Sequence, residues 1–210
     1  MNLDGYELEL LGGQNNRYYR EILAAIKSQM DAMLSHNARV MFLRIDLHAR
    51  EYSPDNVPLS RFMRKMKKRL TKDYGFTRIG HIWAREQETA KQQHWHLVLL
   101  LDASKVRHPK YVIELIEQIA ERWDWPKPYT PENCYAIIRR DDADAYGKAF
   151  KRASYLAKER GKGHKAKAAN DYNRSHIRQR CNAQGRKWAR SADAATTCDA
   201  GSGYLAGRSE

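Results

Sequence analysis

The sequence predicts an α+β fold, a central sheet of four to five mostly antiparallel strands with flanking helices. Three observations carry this. Stretches of strand-like character alternate with stretches of helical period in the order helix, strand, helix, strand, strand, helix, strand, helix. A short polar link, "QETAKQQ" (87–93), joins the second and third strands, which therefore read as an antiparallel hairpin. At 210 residues the chain has room for one domain with a true core, plus extensions.

The elements follow in order. Residues 15–37 place Tyr19, Ile22, Leu23, Ile26, Met30, Met33 and Leu34 on a helical stripe, with Asn37 as its stop. This reads as an N-terminal helical extension over 1–37. "ARVMFLRIDLH" (38–48) is a strand with Val40, Phe42 and Arg44 on one face and Met41, Leu43 and Ile45 on the other. After turn chemistry at 51–58, residues 59–72 put Leu59, Phe62, Met63, Met66 and Leu70 on one helical face. Arg61, Arg64, Lys65, Lys68 and Arg69 take the rest, a surface suited to tracking phosphates.

"FTRIGHIWARE" (76–86) is the next strand, and "KQQHWHLVLLLD" (91–102) its hairpin partner. The five apolar residues after His96 mark a strand covered on both faces. "YVIELIEQIAERWDW" (111–125) is an amphipathic helix stopped by Pro126 and Pro128. "ENCYAIIRR" (132–140) is a last strand, and residues 141–160 a last helix, acidic at its start and basic at its end. Beyond Gly161 periodicity fades, so 161–210 reads as a basic tail, disordered or ordered only on binding.

Charge narrows the partners. The formal net charge is +13, which favours a polyanion, nucleic acid ahead of an anionic membrane. Residues 151–190 hold thirteen Lys/Arg against two acids, and the remainder is nearly balanced. Lys151, Arg152, Lys162 and Lys165 join Arg61, Lys65 and Lys68 as candidate DNA contacts. No stretch approaches the roughly 20 apolar residues needed to cross a bilayer, and the N-terminus lacks a secretory pattern. The three cysteines are scattered, giving neither a disulfide framework nor a zinc cage. A protein of a reducing cytoplasm is the expectation.

Chemistry gathers at two places. His94 and His96 project from the same face of a strand, about 6.5 Å apart at Cα, near enough to share an ion. A hairpin carboxylate can complete the set. Glu86 does so if it lies opposite His94 or His96, and Glu88 in a shorter hairpin; an odd register would point both away. Two imidazoles and a carboxylate suit Mn²⁺ or Mg²⁺ and are compatible with Zn²⁺. The second place is "SYLAKER" (154–160), where Tyr155 and Lys158 share a helical face. A phenol is a weak nucleophile until a cation stabilises its anion.

A His-x-His strand preceded by a hairpin Glu and followed by a helical Tyr-x-x-Lys resembles the HUH endonuclease superfamily. Within it, "RVMFLRIDLH", "IWAREQETAKQQHWHLVLLLD" and "SYLAKER" look most like the inovirus-type replication initiators, including the YagK/YfjJ-type proteins of bacterial prophages. The resemblance covers roughly residues 38–160 and implies an HUH/Rep-like catalytic domain there, with an RRM-like palm. It implies that His94, His96 and Glu86 bind a divalent metal, Mg²⁺ or Mn²⁺. Tyr155 would cleave single-stranded DNA at a replication origin through a 5′-phosphotyrosine, helped by Lys158, to initiate rolling-circle replication. A host helicase or polymerase is a further partner this reading admits. Tyr146 lacks the Tyr-x-x-Lys frame, so a single nucleophile is expected. The rival readings are a non-catalytic DNA-binding regulator on the same scaffold, a relaxase or transposase of the superfamily, and an RNA-binding protein. Trp83 or Trp95 is a candidate for stacking on a base, with burial the expectation for Trp95.

Overall fold

The computed structural model describes residues 2–3, 6–12, 17–87, 92–159, 162 and 169–181. A small ribbon, β1 (Asn2–Leu3) and β2 (Tyr6–Glu7), precedes helix α1 (Arg20–His36). Strand β3 (Arg39–His48), helix α2 (Val57–Tyr74), and the hairpin strands β4 (Gly80–Glu86) and β5 (His94–Asp102) follow. Helix α3 (Lys110–Arg122), strand β6 (Tyr135–Arg139), helix α4 (Ala143–Ala153), a 3₁₀ turn (Ser154–Ala157) and strand β7 (Tyr172–Arg174) complete the order. The main sheet runs β6-β3-β5-β4-β7, and each neighbouring pair is antiparallel. The α+β expectation holds.

Alternation along the strands sorts the side chains into two cores. Met41, Leu43, Ile45 and Leu47 of β3, with Trp95, Leu97, Leu99 and Leu101 of β5, pack beneath α2 and α3. Val40 and Phe42 of β3, with Val98 and Leu100 of β5, pack beneath α1 and α4. β5 is the middle strand and is covered on both sides, which is why its sequence is apolar without alternation.

Local chemistry fixes the joints. α2 ends at Gly75, which adopts the left-handed conformation (φ 64°) and donates its N–H to the Thr71 carbonyl at 2.8 Å. Asp142 caps α4 by accepting the Ala145 N–H at 2.9 Å. At Gly80 α1 lies close against β4: a Cβ there would lie 2.8 Å from Met33 Cγ.

Three expectations are corrected. Residues 20–36 are not an extension, because Ile22, Leu23, Ile26, Met30 and Met33 of α1 are buried in the core on the face of the sheet shared with α4. The segment beyond residue 161 is not without order: β7 pairs with β4 along Ile82, Trp83 and Ala84, and Ser175 exchanges hydrogen bonds with His81. The unpaired edge of β4 supplies the partner that a three-residue strand needs. The long final helix stops at Ala153 and tightens into the 3₁₀ turn. No described helix is long and apolar enough to cross a membrane.

Candidate metal centre

The register of the hairpin places Glu86 directly opposite His94. His94, His96 and Glu86 therefore emerge on one face of the sheet, the face shared with α1 and α4. One carboxylate oxygen, Glu86 Oε2, lies 3.3 Å from His94 Nε2 and 2.9 Å from His96 Nε2. The candidate ligand atoms of the three residues all lie within 4.8 Å of one another. Two imidazole nitrogens and a carboxylate oxygen converging from rigid strands form a donor set that fits a divalent cation of the Mn²⁺, Mg²⁺ or Zn²⁺ type. Glu88, the alternative third ligand, lies outside the described residues.

β3 contributes three more polar residues to this face, none of them singled out from the sequence. Asp46 is opposite His96 in the ladder, and His48 is opposite His94. Asp46 Oδ1 meets His96 Nδ1 at 2.8 Å, so the ring is pinned at both nitrogens by carboxylates. Asp46 is held in turn by Arg44 at 3.1 Å. His48 stacks on His94 with ring centroids 5.3 Å apart. The signal was present in "RIDLH", where polar side chains at positions i, i+2 and i+4 interrupt an otherwise apolar strand.

Electrostatics follow from burial and pairing. Burial works to raise the Glu86 carboxyl, but hydrogen bonds from His94 and His96 and the charges of His96 and Lys162 hold it well below the usual carboxylate range. Burial opposes a charge on His96, yet Asp46 and Glu86 raise its pKa. The Asp46 carboxyl is likewise lowered against its burial by His96 and Arg44.

Tyr155 reaches this cluster from the 3₁₀ turn. Its ring meets the His96 imidazole edge to face at 4.9 Å between centroids. The Arg44 guanidinium lies 4.2 Å from the ring centroid and the Lys158 ammonium 5.0 Å. Lys158 does not share an α-helical face with Tyr155. The 3₁₀ turn, closed by Lys158 N–H to the Tyr155 carbonyl at 3.1 Å, brings residues i and i+3 nearly into eclipse and keeps the two side chains together. The chain before α1 straps this turn down: Tyr19 N–H donates to the Ala157 carbonyl at 2.8 Å, and Leu11 N–H to Ser154 Oγ at 2.9 Å. Tyr146 is fully buried, with its hydroxyl on Asp31 at 2.8 Å.

A scan of family models matches residues 7–175 to the YagK/YfjJ C-terminal domain. The chain belongs to that family. The match spans the candidate centre and the tyrosine turn, and it reaches past both ends of the 38–160 unit expected from the sequence, taking in α1 and β7 of this YagK/YfjJ domain. No curated protein and no solved structure matches the chain.

The candidate DNA contacts are dispersed. Arg61, Lys65 and Lys68 are exposed on α2, across the sheet from the metal cluster, so they do not line it. A sequence cannot tell which face of a sheet a helix will cover. Lys151 pairs with Glu9 at 2.6 Å, and Arg152 donates to the Asn133 carbonyl at 2.5 Å. Lys162 is a correction: its side chain is fully buried and its ammonium pairs with Glu86 Oε1 at 3.0 Å, so it is not an outward phosphate contact. Lys165 lies outside the described residues. Trp83 and Trp95 are both buried beneath α2 and α3, which removes Trp83 as a stacking platform.

Proposed function

We propose that this YagK/YfjJ domain nicks and rejoins single-stranded DNA at a specific sequence through a phosphotyrosine, initiating rolling-circle replication of a phage or prophage-like element. The observation that carries the reading is the contact between Tyr155 and His96, a nucleophile-competent phenol against a candidate metal ligand.

Glu86, His94 and His96 would hold the cation, which when bound supplies Lewis-acid polarisation of the scissile phosphate. Asp46 accepts from His96 Nδ1 and so turns Nε2 toward Glu86, the orientation a ligand needs. Arg44 and Lys158 flank the Tyr155 ring, where positive charge favours the phenolate over the phenol. Tyr155 Oη attacks phosphorus in line. The P–Oη bond forms as the P–O3′ bond breaks, and the proton lost by the phenol is balanced by the one gained at O3′. The product is a 5′-phosphotyrosyl protein and a free 3′-OH able to prime synthesis. Because the ester bond is exchanged and not hydrolysed, the reverse attack rejoins the strand without ATP.

The basic face of α2 then contacts a segment of DNA other than the one being cut, since the sheet separates them. The test is direct. Purified protein with Mn²⁺ and labelled single-stranded origin DNA is expected to form a covalent adduct that Tyr155→Phe abolishes. No adduct on any candidate origin would leave a DNA-binding regulator on the same scaffold.

A further inference from the structure

The carboxylate of Glu86 is shared between two sets of partners. Oε2 faces the imidazoles of His94 and His96, while Oε1 is taken by Lys162 Nζ at 3.0 Å. The Lys162 side chain has no exposed surface, and the same ammonium donates to the Lys158 carbonyl at 2.6 Å. A buried lysine on a buried carboxylate is retained only when the pair is well made, since each charge alone is costly to desolvate. Here the pair has a definite place. It joins the third candidate ligand of the cation to the backbone of the turn that carries Tyr155.

We propose that Lys162 is a resident counter-ion of the metal centre, a positioning residue that neutralises Glu86 before the cation arrives, restricts the carboxylate to one free oxygen, and ties Glu86 to the tyrosine turn. This rests on the reading of Glu86, His94 and His96 as metal ligands, but not on DNA cleavage. The consequence is electrostatic. A cation entering the cluster approaches an ammonium already bound to one of its ligands, and like charges at close range repel strongly in a low-dielectric site. Lys162 therefore weakens metal binding while it stabilises the metal-free protein. Removing the ammonium leaves the Glu86 carboxylate with the imidazoles of His94 and His96 as its remaining partners, so an arriving cation gains the interaction the lysine held.

The experiment is Mn²⁺ binding by calorimetry on the full chain, paired with thermal unfolding with and without Mn²⁺. Lys162→Met, which keeps the length of the side chain without its charge, is expected to lower the melting temperature of the metal-free protein. It is also expected to bind Mn²⁺ at least tenfold more tightly than wild type and to gain the larger thermal shift from it. Lys162→Arg keeps the charge and is expected to restore wild-type affinity. Equal or weaker Mn²⁺ binding by Lys162→Met overturns the proposal, as does an Arg variant that behaves like Met. Absence of Mn²⁺ binding by every form, with His94→Ala as the control, overturns the metal assignment along with it. Failure of DNA cleavage alone leaves these readings unaffected, so the two claims fail separately.

Discussion

The imidazole of His96 and the ring of Tyr155 meet edge to face, 4.9 Å between centroids. A middle strand of the sheet delivers one and a turn after the last helix delivers the other, so only the tertiary fold brings them together. The contact follows from two devices: the Glu86–His94 register that sets the strand face, and the strapping of the 3₁₀ turn by Leu11 and Tyr19. Four consequences can be measured besides the metal position itself.

Asp46 holds the rotation of the His96 ring through its contact with Nδ1. Asp46→Asn preserves shape but removes the charge that orders the ring. Such outer partners typically contribute roughly 10- to 100-fold in metal affinity. Calorimetry with Mn²⁺ should show a loss of that size, with the far-UV circular dichroism spectrum unchanged. Unaltered affinity would mean that His96 is oriented by Glu86 alone.

Arg44 lies over the Tyr155 ring and also grips Asp46. Its positive charge attracts the phenolate formed during the proposed attack more strongly than the neutral phenol, and that difference is what would lower the barrier. Arg44→Met is therefore expected to slow adduct formation by roughly tenfold or more, by the usual relation of barrier to rate. Single-turnover kinetics on single-stranded DNA would read this; a rate equal to wild type would show that Arg44 does not assist the proposed attack by Tyr155.

His81 sits on the other face of β4. It is buried, and Nδ1 is among the buried side-chain atoms with no hydrogen-bond partner within the described residues. Burial, then the nearby charge of Lys67, pull its pKa down from 6.5 to about 3. The unfolded chain thus binds a proton that the folded chain refuses. His81 contributes its full stability above pH 6.5 and loses it as pH falls from there toward 3. A depression of this size corresponds to roughly 4–5 kcal/mol. Denaturant midpoints measured across that range should fall less steeply in His81→Leu than in wild type. Parallel curves would show that His81 is not protected from protonation.

Gly80 is required by space, not by an unusual backbone angle. A methyl group there would meet Met33 Cγ at 2.8 Å and Leu100 Cβ at 2.9 Å. Overpacking of this kind costs about 1–3 kcal/mol. Gly80→Ala should lower the denaturant midpoint by a matching amount, whereas Gly147→Ala, with nothing within 4 Å, should not.

The parts legible in the sequence were those governed by short periods. The faces of β3, β4 and β5, and hence the grouping of Glu86, His94 and His96, follow from two-residue alternation once the hairpin is paired. What was not legible depends on three dimensions. "YNR" (172–174) has no strand signal of its own and becomes one only against the open edge of β4. Lys162 reads as part of a basic run until the fold buries it on Glu86. Arg61, Lys65 and Lys68 read as a basic surface, but the side of the sheet on which α2 lies is set by packing of Phe62 and Met66 against the Trp95 face. Asp46 was legible only as the middle of the alternating polar set Arg44, Asp46 and His48; its pairing with His96 depends on the β3–β5 register.

The most direct measurement is anomalous diffraction from crystals soaked in Mn²⁺. One manganese peak is expected in coordination with Glu86, His94 and His96, with the Tyr155 hydroxyl facing it across a gap that admits a phosphate. No peak among those three side chains, or a peak there with the Tyr155 hydroxyl turned away into the helical layer, would contradict this expectation.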